Sequence, residues 1–166
     1  MSNLSPEIQD RLNKLAYKLS IPFCYSCYQE VPSGICPRCL SDDCMRLLPG
    51  VACEYGSSWI IEHLIRDNLT PINIEEAFQE SVSQCYPETT TVGFLELDTV
   101  QTMKESDPIA WDLSQSEWLD NEETEGQIVT FNNGGAYYYT HDVERYVERA
   151  EADLDQSAAN TVLGCS

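Results

Sequence analysis

Apolar residues recur every three to four positions after Pro6, and Ile8, Leu12, Leu15 and Ala16 share one side of a helix over 6–19. Ser5 and Pro6 supply a capping hydroxyl and a ring suited to the first turn, and Pro22 closes the segment. A second helix is predicted over 58–68, capped by Ser57 or Ser58, with Trp59, Ile60, Ile61, Leu64 and Ile65 as a broad buried face. Asn73 starts another, because Glu76 can complete a capping box; Ala77, Phe78 and Val82 turn inward and the helix ends before Pro87.

The pattern then changes. Residues 90–97 (TTTVGFLE) are rich in β-branched side chains and read as one strand. Helix signals return at Asp98 or Thr99 and again at Asp107-Pro108, where Ile109, Trp111, Leu113, Trp118 and Leu119 spread around a helix over 108–119. Residues 127–131 and 136–140 read as strands joined by Asn132-Asn133-Gly134-Gly135, which tolerates the positive φ angles of a tight hairpin turn. Asp142 caps a last helix over 143–155. The predicted fold class is therefore α+β: a small antiparallel sheet of about three strands with helices, plus an N-terminal zinc-bound hairpin. Residues 1–56 are expected to form the N-terminal helix and metal module, 57–156 an acidic α+β domain, and 157–166 a disordered tail.

Charge separates the two parts. The formal net charge is -19. Residues 1–70 hold six Lys/Arg against eight Asp/Glu, a net of -2, whereas residues 71–166 hold three against twenty, a net of -17. Such a field repels nucleic acid and anionic membrane and attracts basic surfaces. No apolar run reaches the roughly 20 residues of a membrane span. The polar start MSNLSPEIQDRLNK lacks the apolar stretch of a secretory signal, so a cytoplasmic protein is expected.

The eight cysteines stand at 24, 27, 36, 39, 44, 53, 85 and 165. Two tight pairs without a secretory signal favour metal over disulfides. Cys24, Cys27, Cys36 and Cys39 form C-x₂-C-x₈-C-x₂-C within FCYSCYQEVPSGICPRCL, two knuckles joined by a hairpin. Four thiolates suit one closed tetrahedral zinc site. Residues 23–40 resemble the zinc-ribbon and rubredoxin-like modules, which implies a metal-held hairpin and nothing about partner or reaction. A redox pair and a four-thiolate iron site are the other readings of these cysteines. Cys44 and Cys53 are substitute ligands or small buried residues, and Cys85 and Cys165 have no partner pattern.

Catalytic arrangements are not legible around His63 or His141, and an enzyme is not expected. Partner contacts are expected from the carboxylates Glu144, Glu148, Glu151 and Asp155, spaced along one helix face, from Glu122 and Glu123, and from the strand aromatics Tyr137, Tyr138 and Tyr139. In the strand, Tyr138 faces one way and Tyr137 and Tyr139 the other. The expected function is a zinc-binding interaction protein that engages a basic, nucleic-acid-binding protein without binding nucleic acid or membrane itself. In size and charge the chain resembles the DNA-mimic inhibitors of host defence, of anti-restriction and anti-CRISPR type. The alternatives are a zinc-dependent adaptor or regulator in a transcription or conjugation assembly, and a metal-dependent enzyme using acidic residues.

Overall fold

The computed structural model describes residues 4–163. The chain runs α1 (Pro6–Leu19), β1 (Ile21–Cys24), β2 (Gln29–Glu30), β3 (Met45–Leu48), β4 (Ala52–Glu54), α2 (Ser58–Asn68) and α3 (Ile74–Cys85). It continues with β5 (Thr89–Val92), β6 (Leu95–Asp98), α4 (Thr99–Ser106), α5 (Pro108–Thr124), β7 (Ile128–Thr130), β8 (Tyr137–Tyr139) and α6 (Thr140–Leu163). The class is α+β, as the alternation of periods predicts.

α1 forms where its pattern places it. The Ser5 hydroxyl accepts from the Ile8 amide, and Ile8, Leu12, Leu15 and Ala16 are buried. These side chains pack with Leu48, Ile60, Leu64, Ile65, Val129, Tyr138, Val143 and Val147 in the main core. Packing thus groups α1 with α2, the β7–β8 hairpin and α6 rather than with the cysteine hairpin. Arg11 clamps Glu151 of α6 through two nitrogens, the shorter contact being 2.6 Å.

The strands are arranged differently from the expected sheet of about three. β2, β1, β3 and β4 form a four-stranded antiparallel sheet in that order. Met45–Leu48 and Ala52–Glu54 pair through Leu48↔Ala52 across the Pro49-Gly50 turn, and Gly50 adopts φ +77°. Their few residues lack the length that announces a strand. Arg46 of β3 ties the sheet to α1: it donates to the Tyr17 and Ser20 carbonyls at 2.7 Å and lies 4.6 Å over the Tyr17 ring. A guanidinium there satisfies carbonyls that the helix end leaves open.

The single strand expected over 90–97 is two. β5 and β6 pair from Thr89↔Asp98 to Val92↔Leu95, with Gly93 and Phe94 as the whole loop. Gly93 has φ +65° and Phe94 does not share a positive φ, the pattern of a two-residue turn with glycine first. The β7–β8 connection is also looser than the expected tight turn, because Thr130 pairs with Tyr137 and leaves 131–136 unpaired. The Asn132 side chain organises that loop, accepting from the Ala136 amide at 2.9 Å and from the Thr130 hydroxyl at 3.1 Å.

α3, α4 and α5 gather around aromatic rings: Phe78 meets Trp111 at 4.7 Å and Trp118 at 5.7 Å between centroids. Asn73, Asp98 and Asp107 accept from amides three residues ahead and so start the three helices. α5 runs beyond the expected 119, to Thr124, and Ile109 and Leu113 face solvent rather than the core. α6 is longer than expected at both ends, and 157–163, expected in a disordered tail, continue it. The remainder of that tail lies outside the described residues. Among the described residues, no helix is long and apolar enough to cross a membrane.

Candidate metal centre

Each knuckle is built the same way. Cys24 ends β1, the chain turns through 25–28, and Tyr28 after the second cysteine takes φ +52°. Cys36 opens the second turn, and Leu40, after its second cysteine, takes φ +59° while its amide donates to the Cys36 carbonyl at 2.8 Å. A left-handed residue behind each pair swings the chain away, so both sulfurs of a pair face one point. The register Cys24↔Gln29 holds the first knuckle. The Gly34 amide, donating to the Val31 carbonyl at 2.8 Å, folds the connection back to the second.

The result is a zinc-ribbon-like cluster. The Sγ atoms of Cys24, Cys27, Cys36 and Cys39 all lie within 4.8 Å of one another, and Cys24 and Cys39 are 3.6 Å apart. Four sulfurs placed about 2.3 Å from a tetrahedral ion stand roughly 3.8 Å from each other, so this donor set fits a metal ion. Cys24 and Cys36 are buried, Cys27 is half-buried and Cys39 is exposed, so the cluster opens on the Cys39 side.

Electrostatics favour a cation at this point. The amides of Cys39 and Arg38 stabilise a thiolate on Cys36 and lower its pKa to about 6, despite burial. Cys27, held against the Cys39 sulfur and desolvated, is pushed up to about 12. One negative sulfur forms readily, and a second beside it is opposed unless positive charge is present. Gln29 donates to the Cys36 sulfur at 3.4 Å, a contact that supports a ligand from outside the set.

Cys44 packs beside the cluster, its sulfur 3.6 Å from the Gly34 carbonyl, and burial raises its pKa. Cys53 sits half-buried on β4, raised by burial as well, and Cys85 is exposed at the end of α3. Cys165 lies outside the described residues.

The acidic residues singled out in the sequence are divided between two places. On α6, Glu148 and Asp155 are exposed and Glu144 is half-buried. Glu151 is committed to Arg11, whose hydrogen bond holds its carboxyl below the usual range. It belongs to a bond within the molecule and is no free partner group. Glu122 and Glu123 are half-buried near the end of α5, and Glu123 borders a cavity of about 740 Å³ with Leu4, Leu12, Ile61, Phe131 and Tyr137. The three tyrosines do not act as a unit. Tyr138 is core, Tyr137 is half-buried, and exposed Tyr139 stacks on His141 with centroids 5.3 Å apart.

The strongest concentration of charge is narrower than the acidic half, residues 71–166, read from the sequence. Residues 73–125 hold one lysine against fourteen Asp/Glu, a net of -13. That lysine, Lys104 of α4, is bonded to Glu75 of α3. Within this lobe Ile109 and Leu113, one turn apart on α5, are 74% and 61% exposed, and Asp112, Glu117 and Asp120 are exposed near them on the same helix. The signal was available in residue counts taken over a shorter window.

No protein-family model, no curated protein and no solved structure matches this chain.

Proposed function

We propose that the protein is a non-enzymatic interaction protein in which Cys24, Cys27, Cys36 and Cys39 hold one structural zinc, and whose acidic lobe engages a basic, nucleic-acid-binding protein. One observation carries the reading. The lobe of residues 73–125 has a net charge of -13, and its single lysine is already bound to Glu75. Concentrated like charge works against compactness, and a basic partner relieves it. The carboxylates would take the place of phosphates in the partner's site. Inhibition of host defence, of anti-restriction or anti-CRISPR type, is the sharpest form of this function.

Local contacts favour binding over catalysis. His141 stacks on Tyr139, and the Arg66 guanidinium lies 3.5 Å from the His63 ring nitrogen. Direct nucleic-acid binding is disfavoured because Arg46, on β3 of the cysteine sheet, is spent on the end of α1.

The test starts with tagged full-length protein in the cells that produce it. A captured partner is purified, and its nucleic-acid binding is measured with and without this protein across a salt series. Competition that fades as salt rises is expected, since exposed charges are screened beyond about 8–10 Å near physiological ionic strength. Simultaneous binding of nucleic acid and this protein, or affinity indifferent to salt, would contradict the reading. Metal analysis should return about one zinc per chain.

A further inference from the structure

We propose that the tip of the β5–β6 hairpin, Phe94 with Val92 and Leu95, is the apolar anchor of the partner complex, seated in an apolar pocket with a cationic rim on the partner protein. This rests on the reading of the acidic lobe as the partner surface.

The tip is the least protected large apolar group described: Phe94 is 97% exposed, Val92 58% and Leu95 50%. Val92 and Leu95 are cross-strand partners, so their side chains stand on one face about 5 Å apart, with Phe94 beside them. Three adjoining apolar side chains lie in the open within the most acidic part of a chain of net charge -19. Water makes this arrangement costly, and binding removes the cost.

The hairpin is held in place before any partner arrives. Its register is continuous over four pairs, and the Thr99 amide donates to the Glu88 carbonyl at 3.0 Å across its base. The Asp98 side chain accepts from the Gln101 amide at 2.8 Å, locking the outgoing strand to α4. A rigid aromatic presented this way loses little conformational freedom on docking, which is the property of an interface anchor.

Charge selects the occupant. Glu88 and Asp98 stand at the base of the hairpin, Glu96 stands one pair from its tip, and the surrounding lobe carries a net of -13. A second copy would bring an equal negative field against the first. An anionic membrane is repelled for the same reason. A protein pocket with an apolar floor and Lys or Arg at its edge satisfies both the ring and the carboxylates.

A photoreactive benzoyl-phenylalanine at position 94 of the full chain, activated in the producing cells, should give one main protein adduct. Its attachment point should lie among apolar residues bordered by Lys or Arg. With that partner purified, Phe94→Ser should weaken binding by roughly thirty-fold or more, as loss of an anchor does. The salt dependence should be unchanged, and so should the melting temperature, because Phe94 lies outside the core. Glu117→Lys with Asp120→Lys should instead flatten the salt dependence. If Phe94→Ser binds within about two-fold of wild type while the lysine variant fails, the anchor is wrong and the acidic reading stands. If Phe94→Ser fails and binding ignores salt, the acidic reading and the cationic rim both fall. Absence of an adduct, an adduct with a second copy, or Phe94-dependent flotation with phosphatidylcholine vesicles would overturn the proposal.

Discussion

The cysteine sheet and the acidic lobe solve the problem of a small core in opposite ways. In the sheet, residues 21–54, the buried cluster is Cys24, Val31 and Cys36 with Cys27 and Cys44 against it, and the net charge is only -2. That is little apolar surface for four strands, and an ion held by the four sulfurs would add to the cohesion that Leu48 and Arg46 supply against α1. In the lobe, residues 73–125, cohesion comes from Phe78 against Trp111 and Trp118, while the surface carries a net of -13. The first region has a nearly neutral surface and a small interior. The second has an aromatic interior of its own and a surface of uncompensated negative charge.

The sharpest break between the two is Cys36→Ser. It should abolish stoichiometric zinc and raise hydrogen exchange at Val31, Cys36 and Leu40 toward unfolded rates, with α1, α2 and α6 still protected. In small zinc-held peptides the metal contributes on the order of 10 kcal/mol. Protection retained in the sheet without metal would show that its strands cohere alone.

Trp111→Ala strikes the other interior and should cost roughly 3–5 kcal/mol in chemical denaturation. Zinc content should stay at wild type, because the tryptophan lies in the cluster around Phe78 and not beside the sulfurs. Zinc lost together with stability would mean that the two regions fold as one unit.

Gly93→Ala tests how firmly the hairpin holds its loop. A Cβ there meets no atom within 4 Å, so the penalty comes from φ +65° alone, about 1–3 kcal/mol. Proton chemical shifts across the Thr90↔Leu97 and Val92↔Leu95 pairs would report it, and an unperturbed hairpin would mean the turn can adopt another type.

The smallest effect concerns the bridge that joins neither region. Glu151→Gln should cost about 1 kcal/mol at pH 7, since the pair is partly open to water. The Arg11 hydrogen bond depresses the Glu151 pKa in the fold. Its contribution is therefore complete above the ordinary carboxylate range, near pH 4.3. It disappears as pH falls through the lower folded value. Urea unfolding of wild type and variant should converge at acid pH, and a constant gap would assign the stability to packing of the side chain instead.

Sequence alone determined what neighbours along the chain decide. Ser5, Asn73, Asp98 and Asp107 cap helices because each side chain needs only an amide three residues away. The two C-x₂-C turns come together for a similar reason, with eight residues between them that hold β2 and the turn closed by the Gly34 amide on the Val31 carbonyl. The β5–β6 loop was legible too, in a glycine followed by one residue between two short runs, but β-branched continuity hid it. Tertiary structure alone decided the rest. Short strands such as Ala52–Glu54 exist because a neighbouring strand completes their hydrogen bonds, which no local pattern announces. Ile109 and Leu113 have the composition of a core face and lie in water because Trp111 and Trp118 already fill the space around Phe78. Glu151 looked like its neighbours on α6 until the fold brought Arg11 to it from 140 residues away, since compensation of charge depends on distance in space and not along the chain.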